Sequence, residues 1–177
     1  MKDVQQPEHG VGPLFHRRYR GVIRDADTTP EELCELVSTE LDRVAPTELA
    51  TFRKVKGDDR VMLVGDEYVV RMPGPWDGPV RVAEVSASAF RLVTLEGHLE
   101  AGQIEFRFSR EDHLVFEIES WARSGDRLSA LLYQHLRMAK EVQLHLWTSM
   151  LEQVAELSGG RMTGGVDIDT RRVDEGH

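Results

Sequence analysis

The residue types that catalyse or ligate are thinly spread along this chain. Seven histidines occur: His9, His16, His98, His113, His135, His145 and His177. None forms an HxxxH or HxxEH pattern and there is no CxxC, so neither a metal nor another cofactor is expected. His98 and Glu100 lie two apart in one loop, which falls short of a ligand set. Nucleophilic catalysis needs a Ser, Cys or Thr beside a base, and no GxSxG turn is present. Cys34 is the sole cysteine and has no His or Asp close in sequence. It reads as a small buried hydrophobe, and with no possible internal disulfide a cytoplasmic location is the expectation. Glu117 and Glu119 share a strand face and would form an acid–base pair if that face were buried. The alternation turns Phe116 and Ile118 inward instead and leaves the two carboxylates in solvent. No catalytic residue is therefore assigned. Two polar residues do fall on an apolar phase: Arg17 and Tyr19 alternate in step with Phe15 and Ile23, while His16, Arg18, Arg20 and Arg24 take the other phase.

The elements that would position these groups are legible. Leu14–Arg24 reads as a first strand. A first helix begins with Thr29 as cap, Pro30 in the first turn and Glu32 closing a capping box. Its buried stripe is Leu33, Leu36, Val37, Leu41 and Val44, and Pro46 stops it. From Leu49 the period changes from 3.6 to 2. Strands are expected at Leu49–Lys56, Arg60–Val64, Glu67–Met72, Val80–Val85, Phe90–Leu95, Gln103–Ser109 and Leu114–Trp121. Gly65-Asp66 signals a hairpin, and 73–79 is a loop dense in Pro and Gly around Trp76. Phe106 and Phe116 fall on the apolar face of the last two strands, which fits an antiparallel sheet covered on one side. Asp126 to Ser158 then reads as one helix of about nine turns, ended by Gly159-Gly160. Leu128, Leu132, Ala139, Val142, Leu146, Met150, Val154 and Leu157 form its apolar stripe, widened by Leu131, Met138, Trp147 and Leu151. His135 lies on that stripe. The expected organisation is a flexible arm over 1–13, one domain over 14–158 and a flexible tail over 159–177. The fold class is α+β, a curved antiparallel sheet of about six to seven strands around a long C-terminal helix.

With 177 residues, 40% hydrophobic and 30% charged, the chain can bury a substantial core. Its net charge of −9 argues against nucleic acid as a partner, since phosphate binding needs a basic patch. No apolar run approaches the roughly 20 residues of a membrane span. The start, MKDVQQPEHG, carries no apolar signal region.

The order of elements resembles the helix-grip fold of the START-like superfamily, which includes Bet v 1-type proteins and polyketide cyclases. The stretches VGDEYVVRMPGPWDGPVRV, TLEGHLEAGQIEFRF and FEIESWARSGDRL are similar to an uncharacterised bacterial branch of it, known only as a domain of unknown function. Gly65, Gly74, Pro75, Gly97, His98, Gly102, Glu105, Phe106, Trp121, Ser124 and Asp126 carry that similarity. The resemblance implies a cavity between sheet and helix that takes an apolar or amphipathic small molecule, and it implies no particular reaction. It departs from Bet v 1-type proteins at Lys56-Gly57-Asp58-Asp59-Arg60, where one glycine and two carboxylates replace a glycine-rich loop and make a poor phosphate cradle.

If such a cavity exists, Arg17, Tyr19, Trp76, Phe106, Phe116, His135 and Met138 are its expected ligand-binding residues. Arg17 would pair with a ligand anion, His135 would donate a hydrogen bond, and Trp76 would form a lip. Plainer roles stand beside these. His135 could be a core histidine bonded to the sheet, Arg17 an ion-pair partner of the acidic first helix, and Trp76 a packed ring. Three functions are open at this point: small-molecule binding, a cyclase/aromatase-like or hydrolytic enzyme using the same cavity, and a protein-interaction module. A homodimer is among the partners considered.

Overall fold

The computed structural model describes residues 1–46, 48–71, 77–125 and 137–173, with 137–142 as backbone only. Eight strands form one antiparallel sheet in the order β2-β3-β4-β5-β6-β7-β1-β8. They are β1 Val11–Arg24, β2 Thr51–Lys56, β3 Glu67–Arg71, β4 Asp77–Val85, β5 Ala89–Thr94, β6 Glu100–Arg110, β7 Leu114–Ser124 and β8 Arg161–Val173. The helices are α1 Pro30–Thr39, α2 Leu41–Val44 and α3 Arg137–Leu157.

The sheet's period-2 pattern determines what it buries. On β1 the inward phase is Arg17, Tyr19, Gly21 and Ile23, all buried. On β6 and β7 the inward pairs are Phe106 opposite Ile118 and Phe108 opposite Phe116. Against them lie Leu146, Met150, Leu151, Val154 and Ala155 of α3, each nearly or fully excluded from water. These spacings of three and four keep one side of the helix on the core. Gly159, with φ of +77°, ends the helix, and the Asp27 amide caps it by donating to the Ser158 carbonyl. Aromatic rings stiffen the contact. Phe90 stacks on Phe106 with centroids 4.8 Å apart, and Trp147 of α3 meets Phe106 edge-on at 5.7 Å.

α1 opens with the expected reciprocal cap. Thr29 Oγ1 accepts from the Glu32 amide, and the Glu32 carboxylate accepts from the Thr29 amide, which holds the Glu32 pKa low. The helical segment then breaks at Glu40 (φ −127°) and resumes as α2, where the pattern suggests one helix.

Several expectations need correction. The sheet has eight strands and not six to seven, because 161–173 forms β8 along the outer side of β1. This segment is mostly exposed, and its alternation, Val166-Asp167-Ile168-Asp169-Thr170, is short and flanked by Gly164-Gly165 and Arg171-Arg172, too little to announce a 13-residue strand; ladder hydrogen bonds to β1 hold it. At the other end, Val4 bridges to Leu95 and residues 7–9 form a short 3-10 turn. Residues 60–64 are not a strand and Gly65-Asp66 is not a hairpin. β3 pairs with β2, and 57–66 folds back as a loop. The cause is a buried ion pair. Lys54 Nζ donates to Asp66 Oδ2 at 2.9 Å and to the carbonyls of Asp58 and Val61, and Asp66 also accepts the Leu63 amide. All three ammonium protons are thereby used, in a site where both side chains are 9% exposed. Of the long helix expected over 126–158, residues 126–136 lie outside the described residues.

The outer face of the sheet is a charge ladder. Arg107 on β6 reaches Glu117 at 3.0 Å and Glu119 at 2.7 Å on β7, and Arg20 on β1 reaches Glu117 at 3.1 Å. His16 stacks on Trp121 at 4.7 Å and meets Glu119 at 3.3 Å. Glu117 and Glu119 are thus ion-paired on the outer face. The Glu119 pKa stays low because Arg107 and His16 outweigh its desolvation.

Candidate functional site

One pocket lies between the inner face of the sheet and α3, with a volume of about 80 Å³. Phe52, Val70, Val80 and Leu92 come from the sheet side, and Leu146 and Trp147 from the helix. Its polar groups gather where β5 turns into β6: Thr94, His98, Glu100 and Gln103, with Ser120 on β7 and Gln143 on α3. An apolar chamber with convergent polar groups at one end is the usual form of a small-molecule site.

The turn that carries those groups is rigidly built. His98 Nδ1 accepts the Glu100 amide at 2.9 Å, so the neutral ring carries its proton on Nε2. Burial pushes the imidazole pKa below its usual value, against the pull of the Glu100 carboxylate. The Gln5 side chain donates to the carbonyls of His98 and Glu100, 2.9 Å each. Thr94 Oγ1 accepts the Gly102 amide and donates to the Gln5 carbonyl. Gly78 of β4 leaves the space in which the ring sits: a Cβ there would stand 2.7 Å from Nε2. Across the pocket, Gln143 Nε2 donates to Glu100 Oε1 at 2.9 Å and ties α3 to the sheet. Glu100 in turn faces Tyr19. Burial raises the Tyr19 pKa, and of the two charges beside it Arg17 opposes the rise and Glu100 adds to it.

The residues expected from sequence are placed as follows. Arg17 and Tyr19 are buried on the inner face, with the Arg17 guanidinium 5.0 Å over the Phe15 ring. Neither lines the pocket. Phe106 and Phe116 are fully buried in ring stacks, Phe116 at 4.4 Å on Phe108, and do not line it either. Trp76 and His135 lie outside the described residues. Met138 falls within α3, where only the backbone is described. His98 holds the loop backbone through the Glu100 amide and also lines the pocket. Glu100, Ser120 and Gln143 were missed. Periodicity gives no signal for them, since each is an ordinary polar residue until the strands and α3 bring it to the chamber.

Other groups offer less. Cys34 is buried in α1, and desolvation, aided by Glu31, pushes its thiol pKa to about 11, so it is a poor nucleophile. No cluster of three or more metal-ligating side chains occurs among the described residues. No helix among them is long and apolar enough to cross a membrane.

The architecture has solved counterparts. Ginseng major latex-like protein 151 from Panax ginseng superposes with a TM-score of 0.59 at 12% identity, covering 83% of this chain and 99% of that one. Norcoclaurine synthase from Thalictrum flavum, in complex with dopamine and hydroxybenzaldehyde, gives 0.53 at 11%, covering 86% and 89%. The di-domain ARO/CYC StfQ from the steffimycin biosynthetic pathway gives 0.59 at 10%, covering 83% and 51%. The chain therefore has the Bet v 1-like, polyketide-cyclase fold; at such identities the likeness concerns fold alone. No curated protein matches its sequence. Residues 12–152 match a family model described as a domain of unknown function.

Proposed function

The chain belongs to the DUF1990 family, and from that premise we propose that it binds a small amphipathic molecule in the pocket between the sheet and α3. The observation that carries this reading is the mixed lining of the pocket. Apolar side chains from both layers form most of its wall, and Thr94, His98, Glu100, Gln103, Ser120 and Gln143 supply polar groups beside them. A ligand would place its apolar part against Leu92, Val80 and Trp147 and its polar atom beside His98 Nε2–H and the Ser120 hydroxyl.

The volume restricts the ligand. Drug-sized molecules occupy roughly 300 Å³ or more, whereas about 80 Å³ holds only a few heavy atoms. A short apolar group or a single small ring fits. Arg17 and Tyr19 belong to this proposal as a buried guanidinium and a neutral phenol within electrostatic reach of each other and, for Tyr19, of Glu100. They tune the polar end without touching the ligand. The fold counterparts support a ligand role by analogy, since one of them is solved with two small aromatic compounds.

Native mass spectrometry of protein purified from cells, with ligand-observed NMR titration of single-ring amphiphiles such as phenol, tests the reading. A retained small-molecule adduct or saturable binding of such a ring, lost in an Ala122→Leu variant that fills the pocket, is the expected result. A protein that carries no adduct and binds no such ring would overturn it.

A further inference from the structure

The two edges of the sheet are treated differently. At the β2 edge the backbone is engaged: the Phe52 amide donates to Asp42 Oδ1 at 2.8 Å, and the 57–66 loop is drawn back over Lys54. At the opposite edge lies β8. Among the described residues it makes no backbone hydrogen bonds beyond its ladder with β1. Among the described residues, nothing pairs with the other side of this 13-residue strand's backbone. Such an edge is a template for another strand.

The sequence of β8 specifies which strand. Gly164 and Gly165, both at positive φ, form a bulge where Gly21 pairs with Val166 and Val22 with Thr163. The bulge interrupts the edge and leaves the regular part at 166–173. There the register with β1 puts Asp167, Asp169 and Arg171 on the outer face, opposite Arg20, Arg18 and His16, and Ile168, Thr170 and Arg172 on the inner face. Antiparallel partners directly opposite one another share a face. A copy of this segment can therefore pair with itself only about a residue or in steps of two.

Centred on Asp169, the pairing joins Asp167 to Arg171 twice but sets the Asp169 carboxylate against its own copy at the axis. Centred on Ile168, it sets Asp167 against Asp169. Centred on Thr170, it joins Asp169 to Arg171 twice, sets Thr170 against Thr170, and lays the Arg172 stem over Ile168, which is 42% exposed in the single chain. Opposite charges and Thr–Thr pairs favour a cross-strand register, and like charges oppose it. We propose that β8 is the interface of a homodimer in which residues 167–173 pair antiparallel with the same residues of a second copy, about a twofold axis through Thr170. Edge charges normally prevent pairing; only in this register do they make opposite-charge pairs with no like charges face to face, and so they select it. Asp169 and Arg171 already bond within the strand at 2.8 Å, and the dimer exchanges that contact for the same one across the axis. The proposal is independent of the small-molecule reading.

Sedimentation velocity over a concentration series tests it. The full chain is expected to show a concentration-dependent dimer. Asp169→Arg and Arg171→Asp should each weaken it by at least about tenfold, and the double variant carrying both should restore it. Thr170→Cys, combined with Cys34→Ala to remove the native thiol, should oxidise to a covalent dimer. Thr163→Cys in the same background, beyond the bulge, should not. A chain that stays monomeric throughout, a dimer indifferent to the single charge reversals, or equal cross-linking at 163 and 170 would overturn the proposal.

Discussion

The His98 ring stands where a side chain on Gly78 would stand; a Cβ at Gly78 would come within 2.7 Å of Nε2. A backbone position on β4 therefore sets where the imidazole points. Gly78→Ala should displace the ring, at a cost of about 1–3 kcal/mol for overpacking. Under the proposed function it should also weaken the binding of a phenol-sized ring well beyond that loss of stability. Urea unfolding with NMR titration of that ring checks this, and unchanged affinity would remove His98 from the site.

The same histidine gives a pH signature. Its folded-state pKa lies below the ordinary value of 6.5 because burial disfavours the imidazolium. Between the folded and unfolded pKa values the unfolded chain binds more protons, so stability rises with pH across that window. The His98 contribution is complete above about pH 6.5 and is lost as pH falls towards the folded value. Replacing His98 by Gln should flatten the pH dependence of the urea midpoint just below about pH 6.5; an unaltered slope would refute the assignment.

Lys54 and Asp66 form the buried pair that folds the 57–66 loop. Lys54→Met would strand the Asp66 carboxylate, a loss on the order of 3–5 kcal/mol. Joining it to Asp66→Leu removes both charges and should recover part of the loss, though the Leu63 amide then loses its acceptor. A double-mutant cycle by thermal or urea unfolding gives the coupling, and strictly additive losses would contradict it.

Phe106 connects β5, β6 and α3 through the Phe90 stack and the edge of Trp147. Phe106→Ala should cost about 3–5 kcal/mol and loosen the Trp147 wall of the pocket. Trp147 emission shifted to the red in the folded variant is the expected sign. A variant as stable as the parent would show that the stack does not carry the core.

Much of the fold is written in local pattern. The cap of α1, the inward phase of β1 with Arg17 and Tyr19, the alternation of β6 and β7, and the stripe from Leu146 to Leu157 all follow from periods of 2 and 3.6. These periods express which side of an element meets water, and each is contained in a few consecutive residues. The sequence similarity at Gly65, Gly97, Gly102 and Trp121 points to the same architecture. What local pattern could not supply depends on pairings between distant residues. Strand β8 shows only the short alternation Val166-Asp167-Ile168-Asp169-Thr170, because an exposed edge strand is held mainly by backbone hydrogen bonds that no side chain announces. The hairpin expected at Gly65-Asp66 gives way to a loop because Lys54, twelve residues away, takes the Asp66 carboxylate. The candidate site divides in the same way. Sequence determined that Arg17, Tyr19, Phe106 and Phe116 face inward. Only the tertiary structure decided that the two rings fill the core while His98, Glu100, Ser120 and Gln143 surround the remaining space, since a pocket is what packing leaves unfilled between layers.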